Sequence, residues 1–215
     1  MRELYLRFVF GLLMVSIIVT AICLYPIVFS VLLFLLWCAM LYEWHRMCDR
    51  DVLCNIIGFT VVTCAVCALQ YLLFIGQQEL MLWYFINIWG TDVFAMICGK
   101  TLRGPKLAPV ISPNKTISGF VCGVLCGASI SYAVYWLLRI NHTYHFVSAF
   151  FFQVAIVNNI LAQGSDLFVS YFKRRFKIKD TGTIIPGHGG VLDRFDSICF
   201  SVYSLFFLLY FAQTF

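Results

Sequence analysis

The sequence predicts an all-α protein, a bundle of about seven membrane-spanning helices whose N-terminus faces the cytoplasm. Of its 215 residues, 62% are hydrophobic and only 12% are charged, whereas a soluble domain carries about 25% charged residues. Apolar runs recur along the chain, and a membrane span needs about 20 such residues. If these runs cross the membrane in turn, 14 of the 15 Lys and Arg residues lie in segments on the same side of it, as is typical of the cytoplasmic side.

The candidate spans follow one another with short connections. Their approximate bounds are 4–23, 26–43, 53–74, 80–98, 117–138, 144–163 and 197–214. The first span leads almost directly into the second, so we interpret it as a membrane helix and not as a removable signal. Tyr25 and Pro26 separate the two, and proline favours a tight turn there. Among the basic residues, Arg139 alone lies on the outer side.

No repeat, low-complexity segment or soluble domain interrupts the pattern, so residues 1–215 are predicted to form a single integral membrane domain. The expected location is the inner, cytoplasmic membrane, with several passes. Both long polar loops fall on the cytoplasmic side, where nucleotides are available. The site is therefore expected on that side of the membrane.

The ten cysteines lie mostly inside apolar runs. Cys64 and Cys67 have the spacing of a redox or zinc motif, but no second cysteine pair or histidine pair lies nearby in the sequence. We expect these residues to be small packing residues on a membrane helix. The pattern does not indicate a disulfide framework.

Acidic residues inside or at the edge of a membrane are costly and are therefore functional candidates. Asp92 lies near the end of the fourth span, and Ala95 and Gly99 follow at i+3 and i+7 on one helix face. Those small residues predict close helix packing. Asp92 itself has two open interpretations, a functional carboxylate or a helix-end group bonded to a neighbouring helix.

A second acidic residue, Asp166, ends the sixth span. Ser170, Lys173 and Lys177 follow it at i+4, i+7 and i+11, so all four lie on one stripe if the helix continues beyond the membrane surface. An amphipathic helix on anionic lipid is also basic, but it does not need a carboxylate at the lipid edge. The stripe therefore favours a functional role.

A glycine-rich stretch follows this stripe. Gly187, Gly189 and Gly190 allow close backbone approach to a ligand, and consecutive N–H groups in such a turn can bind an anion. Asp193 and Asp196 can share a face if a helix begins there. Carboxylates, basic groups and a flexible turn together suit a divalent cation with a polyphosphate, because Mg²⁺ favours one or two carboxylates plus substrate phosphates.

The other long loop, residues 99–116, contains three prolines, which make it stiff. Ser112, Lys115 and Thr116 could bind phosphate just ahead of the fifth span. The alternative is that the loop is basic only because it lies on the cytoplasmic side.

These residues match a known family pattern. Residues 170–196 read Ser170-x-Phe-Lys173-Arg174-x4-Lys179-Asp180-x-Gly182-x2-Ile185-Pro186-x-His188-Gly189-Gly190-Val191-x-Asp193-Arg194-Phe195-Asp196. This pattern resembles the signature of phosphatidate cytidylyltransferases, also called CDP-diacylglycerol synthases. The motifs Ser112-Pro-x-Lys115-Thr116 and Asp92-x-x-Ala95 resemble further blocks of the family. The resemblance covers about residues 85–215.

The resemblance implies transfer of a cytidylyl group from CTP to phosphatidate, giving CDP-diacylglycerol and pyrophosphate for phospholipid biosynthesis. It implies Mg²⁺ as cofactor, with Asp166 and Asp193 as metal ligands. The predicted catalytic residues are Asp166, Lys173, Asp193 and Asp196. The predicted substrate-binding residues are Ser112, Lys115, Thr116, Ser170, Arg174, Lys179, Asp180, His188, Gly189, Gly190 and Arg194. The expected partners are CTP, phosphatidate and the bilayer, without nucleic acid, and a homodimer is compatible with the pattern.

Two positions depart from the family pattern, which has glutamate where this chain has Val169 and Ser118. Other function classes also remain open at this point. One is another CTP-dependent lipid enzyme, such as a polyprenol kinase, and another is a lipid-binding or transport protein without catalysis. The absence of inverted repeats argues against a transporter. The repeated aspartates of a CDP-alcohol phosphatidyltransferase are not found in the sequence.

Overall fold

A computed structural model describes residues 2–138, 148–184 and 189–214, and it confirms the all-α class. The helices are α1 Arg2–Leu24, α2 Pro26–Cys48, α3 Val52–Phe74, α4 Gln78–Thr101, α5 Ile117–Leu137, α6 Ser148–Arg175, α7 Leu192–Phe195, α8 Ile198–Ser201 and α9 Tyr203–Thr214. A short hairpin of β1 Lys106–Ala108 and β2 Ser112–Thr116 connects α4 to α5.

Within the described residues, four helices, α2 to α5, are long and apolar enough to cross a membrane. Shorter apolar helical stretches occur at Leu13–Leu24 and Ile198–Tyr210. The predicted sixth span starts at 144, outside the described residues, and its helix is described from Ser148. That helix continues past 163 to Arg175. The predicted last span is divided between α8 and α9.

The loop predicted between the fourth and fifth spans is a hairpin. Its strands pair antiparallel, with Lys106 opposite Thr116 and Ala108 opposite Ser112. Proline is tolerated on edge strands. Both strands of an isolated hairpin are edges, so Pro113 fits within β2.

The helix ends show why the chain turns where it does. Asp51 caps α3 by accepting the N–H of Cys54 at 2.9 Å. At the end of α6, Ile178 donates its N–H to the Lys173 carbonyl at 2.9 Å, and Lys177 has a left-handed φ of 57°. This is the Schellman arrangement that ends a helix. The predicted helical stripe therefore stops before Lys177, which lies outside the helix.

One disulfide differs from the sequence-based expectation. Cys48 at the end of α2 is bonded to Cys54 in the first turn of α3, and their Cα atoms are 5.9 Å apart. The tight turn between the two helices brings these residues within bonding reach. The cysteines of the predicted packing motif, Cys64 and Cys67, are free.

The chain divides into two compact units. The first unit comprises the residues up to Gln78 together with Phe172–Asp196, and the second comprises Glu79–Tyr171 together with the residues from Ser197 onward. In the first unit, Trp44 is buried, donates its indole N–H to the Cys54 carbonyl at 2.9 Å, and contacts the Phe172 ring.

In the second unit, α4 and α5 approach closely through small residues. A Cβ atom added to Gly119 would lie 2.6 Å from the Ala95 carbonyl oxygen and 3.1 Å from the Gly99 Cα. The predicted small face of Ala95 and Gly99 is thus confirmed as a packing face. Asp92 on the same helix is exposed, and its role stays open between the two interpretations.

We expect Gly119→Ala to lower the free energy of unfolding by about 1–3 kcal/mol, because the added methyl group must push two helix backbones apart. Gly164→Ala is the matched control, since a Cβ there meets nothing within 4 Å. Alanine in a helix interior is favoured over glycine by about 1 kcal/mol, so the control should be neutral or stabilising. Thermal unfolding in detergent measures both, and equal midpoints would contradict the close-packing interpretation.

Candidate active site

A buried ion pair joins the end of α6 to the start of α7 in the first unit. Lys173 Nζ lies 2.8 Å from Asp193 Oδ1, and the two side chains are only 9% and 6% exposed. The other oxygen, Asp193 Oδ2, accepts the backbone N–H groups of Thr181 at 2.8 Å and Gly190 at 3.0 Å. One carboxylate therefore holds three separate parts of the signature segment together.

These contacts determine the ionisation of Asp193. Burial by itself would raise the pKa of the carboxyl, but the hydrogen bond and positive charge of Lys173 lower it. The N–H donors of Thr181 and Gly190 act in the same direction, so the pKa of Asp193 lies below its ordinary value. The Asp193 carboxyl is therefore ionised at neutral pH.

A carboxyl whose pKa is lowered by folding stabilises the fold above its unfolded pKa, about 3.9 for Asp. That contribution is lost as the pH falls from there through the lowered folded pKa. We therefore expect the difference in melting temperature between the wild type and Asp193→Asn to be constant from pH 8 to pH 5. Thermal unfolding across that range measures it, and a difference that shrinks within the range would contradict the assignment.

The glycine turn is ordered by the same carboxylate. Gly189 has a positive φ of 86°, which L side chains adopt only with strain. The N–H of Gly190 is donated to Asp193. Gly187 and His188 lie outside the described residues, so the predicted ligand role of His188 stays a prediction.

The sequence analysis missed Glu43, which approaches this turn from α2. Its side chain is buried, and its carboxylate accepts hydrogen bonds from the backbone N–H groups of Val191 and Leu192, each at 2.9 Å. The N–H groups of Gly190, Val191 and Leu192, at the end of the predicted turn and just after it, thus bind the protein's own carboxylates. An acidic residue at the end of an apolar span was the available signal.

A cavity of about 690 Å³ lies beside the turn in the first unit. Its lining residues are Arg46, Met47, Ile178, Lys179, Asp180, Thr181, Gly182, Thr183 and Gly189. Lys179, Asp180 and Gly189 were predicted as substrate-binding residues, and the structure brings them together here. Arg46 from α2 was not predicted, because a basic residue in a short loop is explained by membrane topology alone.

The remaining signature residues lie around this cluster. Arg174 is exposed and donates to the Ile178 carbonyl at 3.0 Å. Arg194 is exposed on α7. Asp196, at the end of α7, is buried and has helical backbone angles. The expected helical spacing of Asp193 and Asp196 is therefore confirmed.

The second unit holds a separate group of predicted site residues. Lys115 Nζ lies 2.5 Å from Asp166 Oδ2, and Ser170 donates to Asp166 Oδ1 at 3.2 Å. Thr116 is buried and caps α5 by accepting the Gly119 N–H at 3.1 Å. Ser112 begins β2. The structure thus joins the hairpin to Asp166 through Lys115.

The two departures from the family pattern have structural explanations. Val169 is fully buried in α6, where an ionised glutamate would need a partner to offset its desolvation. Ser118 donates its hydroxyl to the Arg103 carbonyl and lies 3.1 Å from the Thr116 hydroxyl. Each residue is accommodated where it stands, one by packing and the other by hydrogen bonds.

The donor chemistry suits Mg²⁺ bound together with phosphates. Asp166 and Asp193 offer carboxylate oxygens, which Mg²⁺ prefers. Among the described residues, no group of three or more His, Cys, Asp or Glu side chains could hold a metal. A cation bound by one or two carboxylates would complete its coordination with water or phosphate oxygens. Asp166 belongs to the second unit and Asp193 to the first, so their pairing stays a prediction from the sequence.

Comparison with known proteins agrees with these observations. Residues 52–212 match the model of the Cytidylyltransferase family. The chain is 41% identical to a phosphatidate cytidylyltransferase of Rickettsia typhi over 203 residues, covering 92% of this chain and 88% of that protein. It is 41% identical to the Rickettsia bellii protein of the same name, covering 96% and 90%. A Staphylococcus aureus protein of that name is 42% identical over 120 residues, covering 56% and 45%.

Proposed function

The chain belongs to the cytidylyltransferase family, and on that premise we infer that it is a phosphatidate cytidylyltransferase. It transfers the cytidylyl group of CTP to phosphatidate, giving CDP-diacylglycerol and pyrophosphate. The observation that carries this conclusion is the 41% identity to a protein of that name over 92% of the chain. The clustering of signature residues around Lys173 and Asp193 supports it.

We propose that the phosphates of CTP bind in the cavity beside the glycine turn. Arg46 from α2 and Lys179 from the loop both line it, and basic groups neutralise phosphate charge. Nucleotidyl transfer depends mainly on positioning and charge stabilisation. The ion pair with Asp193 fixes the buried Lys173 side chain. Its ammonium group is therefore held at the loop in one conformation.

The phosphate of phosphatidate is the nucleophile in this proposal. A phosphate monoester has its second pKa near about 6, so it is substantially dianionic at pH 7 and needs no general base. One of its oxygens attacks the α-phosphorus of CTP, the bond to the bridging oxygen breaks, and pyrophosphate leaves. Mg²⁺ held by Asp166 and Asp193 would neutralise phosphate charge during this step.

We also propose the membrane arrangement that the charge pattern predicts. About seven helices cross the inner membrane, and the N-terminus and the signature loop face the cytoplasm. The diacyl tails then stay in the bilayer while the phosphate reaches the basic loop at headgroup depth. The basic residues at the end of α6, Lys173, Arg174 and Arg175, support this orientation. A homodimer is compatible with the arrangement.

The test is an assay of the purified protein in detergent with CTP, phosphatidate and Mg²⁺. We expect stoichiometric pyrophosphate and a cytidylylated diacyl lipid. A phosphorylated alcohol with CDP would instead indicate a polyprenol kinase-like enzyme. Binding of phosphatidate without turnover of labelled CTP would indicate a lipid-binding or transport protein.

A further inference from the structure

Glu43 is a carboxylate enclosed by the signature loop. It is 1% exposed at the end of α2, and both its oxygens accept hydrogen bonds. Oε1 accepts the Val191 N–H at 2.9 Å, and Oε2 accepts the Leu192 N–H at 2.9 Å and the Thr181 hydroxyl at 2.8 Å. These donors come from both ends of the loop.

The loop packs closely around the Glu43 carboxylate. A Cβ atom added to Gly182 or to Gly190 would collide with the Glu43 carboxylate. Both glycines are therefore required by the close approach of the Glu43 side chain from α2. A buried carboxylate is stabilised only when hydrogen bonds replace its lost hydration, and the loop supplies three of them.

From these contacts we infer that Glu43 is a positioning residue of the nucleotide site, and this inference rests on the proposed function. Its carboxylate occupies the N–H nest formed by residues 191 and 192 and ties that nest to Thr181, which lines the cavity. Asp193 accepts the backbone N–H of the same Thr181. The two carboxylates together fix the position of Thr181, and with it this part of the cavity wall, before CTP binds.

This role has a consequence for substrate binding. The N–H groups of Val191 and Leu192 are already saturated by Glu43, so they do not bind the phosphates of CTP. The phosphates are held by side-chain cations such as Arg46, one turn along α2 from Glu43. The helix that positions the loop therefore also supplies a cation, although it precedes the segment 52–212 that matches the family model.

The first variant is Glu43→Gln, which keeps the shape but replaces one oxygen with an N–H donor. At least one donor of the loop then faces another donor. Hydrogen bonds to charged groups are stronger than those between neutral groups, so we expect the KM for CTP to rise by about tenfold or more. The KM for phosphatidate should change little. Glu79→Gln is the matched control, because Glu79 is exposed on α4, and it should resemble the wild type.

A second pair of variants changes one hydrogen bond from the loop side. Thr181→Val removes the hydroxyl that binds Glu43 and should raise the KM for CTP. Thr181→Ser restores the hydroxyl and should recover most of that loss. A purely steric role for Thr181 would give the reverse order, since valine is closer to threonine in shape, and that order would overturn the inference.

Hydrogen exchange tests the contact without relying on turnover. In Glu43→Gln, the amides of residues 191 and 192 should exchange faster than in the wild type, while amides of α3 should not change. Unchanged exchange at 191 and 192, or an unchanged KM for CTP in an active enzyme, would overturn the positioning role. A wild type that releases no pyrophosphate from CTP would instead overturn the proposed function, and the exchange result would still decide whether Glu43 holds the loop.

Discussion

Asp193→Asn should lower CDP-diacylglycerol formation by about 100-fold or more, which is the usual loss when one preorganised charge-stabilising group is removed. Asparagine cannot neutralise Lys173, which is buried. Its amide has only one accepting oxygen, so it cannot accept from Lys173 on one side and from the N–H groups of Thr181 and Gly190 on the other, as the carboxylate does. The loss should therefore combine a misplaced ammonium group with a loosened turn. Pyrophosphate release from purified protein measures it.

Asp51→Asn is the matched control for this change. Asp51 forms an ion pair with Arg175 at 2.9 Å and caps α3, and asparagine caps a helix about as well as aspartate. Exposed ion pairs contribute little, so this variant should keep its activity. Asp193→Asn should still insert into the membrane and elute as a folded protein. Near-normal turnover by that folded variant would overturn the assignment of Asp193.

Asp166→Asn is expected to have the second large effect. Asp166 is proposed as a Mg²⁺ ligand, and its carboxylate has side-chain exposure of 28% beside Lys115 and Ser170. Removing the charge should lower turnover by about 100-fold at limiting Mg²⁺. Turnover should recover in part when the Mg²⁺ concentration is raised. The measurement is pyrophosphate release as a function of Mg²⁺ concentration.

Lys115→Met separates metal binding from the ion pair. It removes the partner of Asp166 but leaves the carboxylate, so the concentration of Mg²⁺ needed for half-maximal rate should not rise. The KM for the phosphate-bearing substrates should rise, because Lys115 is a predicted substrate-binding residue. Equal Mg²⁺ dependence of the wild type and Asp166→Asn would contradict the ligand assignment, and the loss would then belong to the ion pair.

Much of the architecture was predictable because the physics that decides it is local. Apolar runs of sufficient length give membrane helices regardless of their neighbours, and the structure has α2, α3, α4 and α5 close to the predicted spans. The small face of Ala95 and Gly99 was predictable from helical periodicity alone. The signature from Ser170 to Asp196 identified the family because its residue types and spacings are specific.

Other features could not be predicted because they depend on which distant segments meet. The hydroxyl of Thr116, a predicted phosphate-binding residue, caps α5, and this role depends on where the helix begins. Lys177 was expected on the helical stripe, but the α6 helix ends before it with left-handed geometry. The Cys48–Cys54 disulfide depends on the turn between two helices.

The sequence by itself determined the membrane class, the family and the segment that carries the chemistry, because hydrophobic length and motif spacing are properties of the chain. The tertiary structure decided how that segment is held. It brought Glu43 to Thr181, 138 positions along the chain, and to the N–H groups of residues 191 and 192. A buried carboxylate needs hydrogen-bond donors. The local sequence around Glu43 does not indicate which distant backbone amides supply them.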